Sequence, residues 1–167
     1  MTNDEMMQLE EIASKLIKLL NLPKQAITED MLELVVQAIN GIPNFFVVED
    51  HFSNKFEMTS NGIVIISYSL DNSSRENLKY IITSLCFGLL NIDDAKSNTE
   101  LNEEIIMRDD EANYLSRAIT LPKDVFVEQI TNNSTNDGYV NVTKMAKQLK
   151  MNDSFVVRRG RDLKIFN

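Results

Sequence analysis

The sequence predicts an α+β fold, and three features of the pattern support that prediction. A pair of amphipathic helices opens the chain. Short segments rich in β-branched and aromatic residues follow and predict a small antiparallel sheet. The third feature is LKYIITSLCFGLL, from Leu78 to Leu90, which looks like a buried helix and carries a single charge, Lys79. With 167 residues, 43% of them hydrophobic, the chain is long enough to bury a core of this kind.

The opening helices are predicted from spacing and from their ends. Between Asp4 and Leu20, apolar residues recur every three or four positions, so one side of the helix faces a core. Pro23 helps to end this helix. The side chain of Thr28 can cap the next one, which runs to Ile39 and stops before Gly41.

Three strands are predicted after these helices. The stronger two are Phe45–Val48 and Gly62–Tyr68, and a weaker one lies near Phe56–Thr59. Asn61-Gly62 has the composition of a tight hairpin turn. Local hairpin pairing therefore predicts a small antiparallel sheet.

The rest of the chain is predicted to be helical with polar connections. Ser73 and Glu76 have the spacing of a capping box that opens the helix containing the apolar stretch. The polar segment from Asp93 to Asn102 is typical of a loop. The further predicted elements are a helix over Arg108–Leu121, another from Pro122 through Ile130, a flexible connection over Thr131–Gly138, and short helices over Val142–Leu149 and Asp153–Leu163.

Charge divides the chain into two parts. Residues 139–167 hold seven Lys or Arg and two Asp, a net charge of +5, whereas the remainder holds ten basic and 23 acidic residues, a net charge of −13. We therefore place a main domain at residues 1–137 and a basic helical tail at 138–167, packed on that domain or appended to it. The negative charge of the main domain repels a polyanion such as nucleic acid, so only the positively charged tail is expected to bind one.

Composition also limits where in the cell the protein is expected and which metal sites it can form. The longest uncharged apolar run, Tyr80–Leu90, is too short for a bilayer, and the first residues lack a basic signal-peptide start, so we expect a cytoplasmic protein without membrane contact. One cysteine, Cys86, and one histidine, His51, exclude multi-cysteine zinc modules. We expect no cofactor and no bound metal.

A family resemblance becomes specific at RDDEANYLSRAITLPKDVF, which begins at Arg108. This segment resembles the one that follows the zinc helix in the ImmA/IrrE family, metallopeptidase-like proteins of phages, mobile elements and bacterial stress circuits. The matching residues are Glu111-Ala112-Asn113-Tyr114, then Ile119–Pro122, then Phe126. Arg75–Leu78 resembles the approach to the family's zinc helix, and the likeness covers roughly residues 60–166. It implies a zincin-like helical core with a helix-turn-helix-like tail.

The resemblance also implies where a zinc site would lie. Catalytic members carry His-Glu-x-x-His on the helix, which places two imidazoles on one face for zinc and a carboxylate beside the metal's water. In this chain the corresponding pentad is Ile82-Thr83-Ser84-Leu85-Cys86. Ile82 and Cys86 replace the histidines and Thr83 replaces the general base. The family's third ligand corresponds to Asp109 or Glu111, vestigial acids that equally suit the positive end of a helix. Asn113 is expected to hydrogen-bond across the helix pair.

We therefore expect a catalytically inactive relative of these peptidases, a regulator that binds a repressor-like or host protein and is encoded by a phage or mobile element. A DNA-contacting regulator is the alternative, because residues 143–163 have the spacing of a helix-turn-helix. Gly160 within its second helix favours a bend. An enzyme rebuilt around Cys86 or His51 is a third possibility. The cations that are candidates for nucleic-acid or partner contact are Lys144, Lys147, Arg158, Arg159 and Arg161.

Overall fold

The structure, a computed structural model, describes residues 1–97 and 109–167. Within those residues it is a mixed α+β fold in which seven α-helices accompany one three-stranded sheet, as the sequence predicts. The elements are α1 (Asn3–Leu19), α2 (Leu32–Asn40), β1 (Phe45–Asp50), β2 (Lys55–Met58), β3 (Val64–Ser69), α3 (Ser74–Ser97), α4 (Asp109–Thr120), α5 (Lys123–Asn133), α6 (Val142–Gln148) and α7 (Asp153–Asp162).

The first two helices are confirmed, with a difference at the start of the second. A 3₁₀ turn, Glu29–Met31, precedes α2. Thr28 has the extended backbone of a capping residue, but its side chain makes no capping hydrogen bond. The tighter turn already satisfies a backbone donor there, because the Met31 N–H donates to the Thr28 carbonyl at 2.9 Å.

The sheet is mixed, so the prediction of a purely antiparallel sheet is wrong for one of its two pairings. The central strand β3 pairs antiparallel with β2 through the predicted Asn61-Gly62 turn, where Gly62 has a φ of 77°. On its other side β3 pairs parallel with β1. The chain passes from β1 over the end of β3, where the Ser69 N–H donates to the Asn54 side chain at 2.8 Å, and returns along the far edge. This path puts the most apolar strand in the centre, where five of its six residues are buried.

Helix α3 begins as predicted and ends later. The capping box is present: the Ser73 N–H donates to Glu76 at 3.0 Å and the Glu76 N–H to Ser73 at 3.2 Å. The loop predicted from Asp93 is instead helical through Ser97, since residues 93–97 include no glycine or proline to end the helix. The remainder of that loop prediction, residues 98–102, and Arg108 lie outside the described residues.

The main core lies between the sheet and the helices α1 to α4. A side chain at Gly88 of α3 would approach Phe45 to 3.1 Å and Val64 to 3.2 Å, so glycine allows the helix to lie directly on β1 and β3. At the outer edge of β1, the Asn40 amide occupies backbone groups of the strand. Its oxygen accepts from the Val47 N–H at 2.7 Å, and its nitrogen donates to the Val47 carbonyl at 3.4 Å.

The tail is packed on the main domain through a second apolar cluster. Leu121 and Phe126 from the main domain pack with Met145, Leu149 and Val156 from the tail, so the cluster crosses the boundary placed at residues 137 and 138.

The connection before the tail is not the flexible segment that its composition predicts. Helix α5 continues to Asn133, and a bridge joins Ser134 to Val140 across a turn in which Gly138 has a φ of 80°. The buried Asn133 amide donates to Gln148 at 2.9 Å, so side-chain hydrogen bonds hold the turn against α6.

Helix α7 continues through Gly160 to Asp162, so this glycine does not end the helix. The role of this glycine is close packing: a side chain here would lie 2.1 Å from the ring of Phe166, which folds back over the helix. The turn that returns the chain is made at Lys164, whose φ is 56°. After it, the N–H groups of Ile165 and Phe166 both donate to the Gly160 carbonyl.

Candidate functional site

The residues at the two predicted metal-ligand positions lie in the apolar core. Ile82 is 1% exposed and Cys86 is 0% exposed, one turn apart on the buried side of α3. Burial raises the pKa of the Cys86 thiol, so it stays protonated and is a poor nucleophile. Ile82 has no metal-binding atom, and the Cys86 sulfur belongs to no group of three potential ligands among residues 1–97 and 109–167.

Thr83, which the resemblance matches to the general base, lies towards α4. Its hydroxyl lies 3.0 Å from the hydroxyl of Ser116 on α4, and this hydrogen bond joins the two helices. The expected packing of α3 against α4 is therefore confirmed. The hydrogen bond across the pair that was expected from Asn113 is made instead by Thr83 and Ser116. Asn113 donates to the Asp109 carbonyl of its own helix at 2.8 Å.

Asp109 and Glu111, the two acids that the resemblance matches to a third zinc ligand, lie in the first turn of α4. Asp109 is exposed and Glu111 is partly exposed, and both carry negative charge at the positive end of the helix. Among residues 1–97 and 109–167, no three His, Cys, Asp or Glu side chains are grouped closely enough to hold a metal ion. His51 is exposed just beyond β1.

Thr83 and Ser116 form part of the wall of a cleft of about 300 Å³ between α3, α4, the start of α7 and the segment before α2. We call it the basic cleft, because five cationic side chains line it and Glu29 is the one acidic residue among its described lining residues. These cations are Arg75, Lys79, Arg117, Lys150 and Arg158.

Three of the five cations are neutralised by neighbouring carboxylates. Arg75 lies 3.4 Å from Glu29, and Lys150 lies 2.7 Å from Asp30, in ion pairs that remain largely exposed. Arg117 makes a more buried pair, donating from two nitrogens to the two oxygens of the Asp162 carboxylate at 2.6 and 3.0 Å.

Lys79 and Arg158 differ from the other three. Both are exposed, and neither has an ion-pair or hydrogen-bond partner within the parts of the chain that the structure describes. They come from α3 and α7 and line the same cleft. The basic cleft therefore presents two uncompensated positive charges.

Arg159, although it follows Arg158 directly, is fully buried. Its guanidinium donates to both carboxylate oxygens of Glu10 on α1, at 2.5 and 2.9 Å, and to the Leu121 carbonyl at 2.9 Å. The Tyr114 hydroxyl donates to the same carboxylate at 2.8 Å, and its ring lies beneath the guanidinium. Burial, followed by the bond to Glu10, raises the pKa of Tyr114. This placement corrects the expectation that Arg159 faces a phosphate or a partner.

The remaining tail cations are dispersed. Lys144 and Lys147 are exposed on α6, and Arg161 is exposed on α7, where its Nε donates to the Asn167 carbonyl at 2.9 Å. Of the five cations predicted for nucleic-acid or partner contact, only Arg158 lines the basic cleft. The structure thus brings together Arg158 and Thr83 and leaves the other four elsewhere.

Sequence reasoning missed the other cations of the cleft. One signal was present: Lys79 is the sole charge in LKYIITSLCFGLL, and it lies four residues before Thr83, so the two share one side of a helix. Lys150 and Arg117 gave no comparable signal, because their place in the cleft depends on packing between distant segments.

No helix among the described residues has both the length and the apolar character needed to cross a membrane. Comparison of the chain with protein-family models, with curated proteins and with solved structures finds no match.

Proposed function

We propose that the protein is a non-catalytic regulator that binds a protein partner at the face formed by α3 and α4. The observation that carries the proposal is the chemistry of the pentad. At the ligand positions, Ile82 and Cys86 are buried in apolar surroundings, and at the base position Thr83 is engaged with Ser116. These side chains lack the imidazoles and the carboxylate that activate water at a zinc centre.

The resemblance to the ImmA/IrrE peptidases supplies the biological setting of the proposal. A relative that lost its ligands while keeping the surrounding helices retains a surface on which a partner can dock. We infer that this partner is a repressor-like or host protein, and that the gene belongs to a phage or a mobile element. The open cleft beside Thr83 supports this reading, since it is lined by the residue that the resemblance matches to the general base and offers room for part of a partner.

Two measurements test the proposal. Elemental analysis of the purified protein is expected to show zinc well below one atom per chain. Stoichiometric zinc that disappears in Asp109→Ala or Glu111→Ala would contradict it.

For partner binding, a photoreactive phenylalanine analogue is placed at Asn113, inside the cleft, and cross-linking is performed in the native host. The matched control carries the analogue at Lys123, an exposed position of α5 outside the cleft. One protein cross-linked from position 113 and not from 123 is expected. Identical cross-linking at both positions would argue against a partner site at this face.

Contact with DNA through the tail is the second candidate, and the exposed Lys144, Lys147, Arg158 and Arg161 favour it. Two observations weigh against it: Arg159 is committed to Glu10, and the whole chain carries a net charge of −8. DNA binding by this route would weaken steeply with salt and would be lost on neutralising Arg158 and Arg161. Binding that is absent or insensitive to salt eliminates this candidate.

A further inference from the structure

The charge of the basic cleft is opposite to the charge of the molecule. The chain as a whole carries −8, whereas the cleft holds two cations, Lys79 and Arg158, that no carboxylate neutralises within the described residues. Uncompensated like charges on the wall of one cleft repel each other and favour an anion between them. A small anionic group would therefore be stabilised between these two cations.

The same cleft also has an apolar part. Leu78, Met151 and Phe155 lie among its lining residues, and the hydroxyls of Thr83, Ser116 and Ser154 supply polar groups beside them. A ligand that fits this lining combines a negative group with an adjacent apolar group. An inorganic anion would contact the charged part of the lining and leave the apolar part without a partner.

The net charge indicates which kind of anion can approach. The main domain carries −13, so a long polyanion such as nucleic acid, which must extend beyond the cleft, meets repulsion from the net charge of that domain. A short segment with one or two carboxylates meets far less repulsion and still gains the local attraction. Complementary charge of this limited kind gives specificity and guides association.

We propose that the basic cleft binds a short acidic segment of the protein partner, in which a carboxylate lies next to a large apolar side chain. The carboxylate is recognised by Lys79 and Arg158, and the apolar side chain packs on Met151 and Phe155. This inference rests on the proposed function, because it names what the partner presents to the face formed by α3 and α4.

The test uses the whole chain and a fluorescent peptide of alternating glutamate and phenylalanine, with binding followed by anisotropy. A second peptide has glutamine in place of every glutamate. The double variant Lys79→Glu with Arg158→Glu is compared with Lys18→Glu plus Lys123→Glu, which changes the net charge equally at exposed positions outside the cleft. Circular dichroism verifies that each variant is folded.

We expect saturable binding of the glutamate peptide that weakens as salt increases. The cleft variant should lose affinity by about tenfold or more, and the control variant by less than about twofold, because only the cleft charges contact the peptide. The glutamine peptide should bind the native protein as weakly as the glutamate peptide binds the cleft variant.

Equal binding of the two peptides, or no saturable binding of the glutamate peptide up to about 1 mM, would overturn the inference. So would inorganic phosphate that binds in a manner dependent on Lys79 and Arg158 while the peptide does not, since the ligand would then be a phosphate group. Mass spectrometry of the peptide after incubation separates the two proposals. A cleaved peptide would defeat the non-catalytic function, whereas an unbound peptide combined with cross-linking at position 113 would defeat only this inference.

Discussion

Helices α3 and α7 each have one side buried in the core and one side facing the basic cleft. On each helix, residues at most three positions apart in the sequence lie on these different sides. On α3, Cys86 is sealed in the core while Thr83, three residues earlier, lines the basic cleft. On α7, Arg159 is fully buried and its neighbour Arg158 is exposed. The comparison teaches that residue type does not decide the role of a side chain here. The role of Arg158 and of Arg159 is decided by the environment in which the packing of the helices places each side chain.

The largest expected effect is on the buried side of α7. Arg159→Ala leaves the Glu10 carboxylate, which is 19% exposed, without its charge partner, and should lower the free energy of unfolding by about 3–5 kcal/mol. Urea denaturation measures this loss. The double variant Arg159→Met with Glu10→Gln removes both charges and should lose less than the single variant. An equal or greater loss in the double variant would mean that packing, and not the unpaired charge, dominates.

The buried side of α3 should respond next. Cys86→Ser places a hydroxyl in apolar surroundings, at a cost of about 1–3 kcal/mol in unfolding free energy. The native thiol should also resist a disulfide reagent until the chain unfolds, because the position is 0% exposed and the raised pKa of Cys86 keeps the thiol protonated. Rapid labelling of the folded protein would show that this side of α3 opens to solvent.

A smaller effect is expected at the cleft wall. Thr83→Val keeps the shape of the side chain and removes its hydrogen bond to Ser116, so the loss should be about 1 kcal/mol. Thr83→Ser retains a hydroxyl and is the matched control. If the two variants are equally stable, the bond between α3 and α4 contributes little to the packing of these helices.

The smallest expected effect is on the cleft side of α7. Arg158→Ala removes an exposed cation that has no partner within the described residues and should change the unfolding free energy by less than about 0.5 kcal/mol. Lys150, which precedes α7 and lines the same cleft, makes an exposed pair with Asp30, and Lys150→Ala should cost about 0–1 kcal/mol. If Arg158→Ala lowers the unfolding free energy as much as Arg159→Ala does, the buried and cleft sides of α7 do not differ in their contribution to stability.

Local sequence signals predicted the parts of the fold that local physics decides. The capping box at Ser73 and the turn at Asn61-Gly62 depend on residues a few positions apart, and both are present. The parallel pairing of β1 with β3 could not be predicted in this way, because β2 intervenes along the chain and only the assembled core makes β3 central. Polar content alone likewise failed to show that α3 continues through Ser97.

The candidate site was less predictable for the same reason. Arg159 meets Glu10, a residue 149 positions away, and nothing in RRGR distinguishes the arginine that will be buried. Thr83 was predicted from the family resemblance, and Lys79 was visible as an isolated charge. Their meeting with Arg158 across one cleft depends on how α7 docks against α4, which is a property of the three-dimensional packing.

The Asn40 amide at the outer edge of β1 has a consequence for how copies of this protein behave in a crowded solution. An edge strand with unpaired backbone groups is a template to which another strand can pair. The exposed apolar side chains of Phe46 and Val48 on this strand favour such association. By bonding to both the N–H and the carbonyl of Val47, Asn40 imitates a neighbouring strand and removes the central attachment point. A single amide thus helps to protect the sheet against edge-to-edge aggregation.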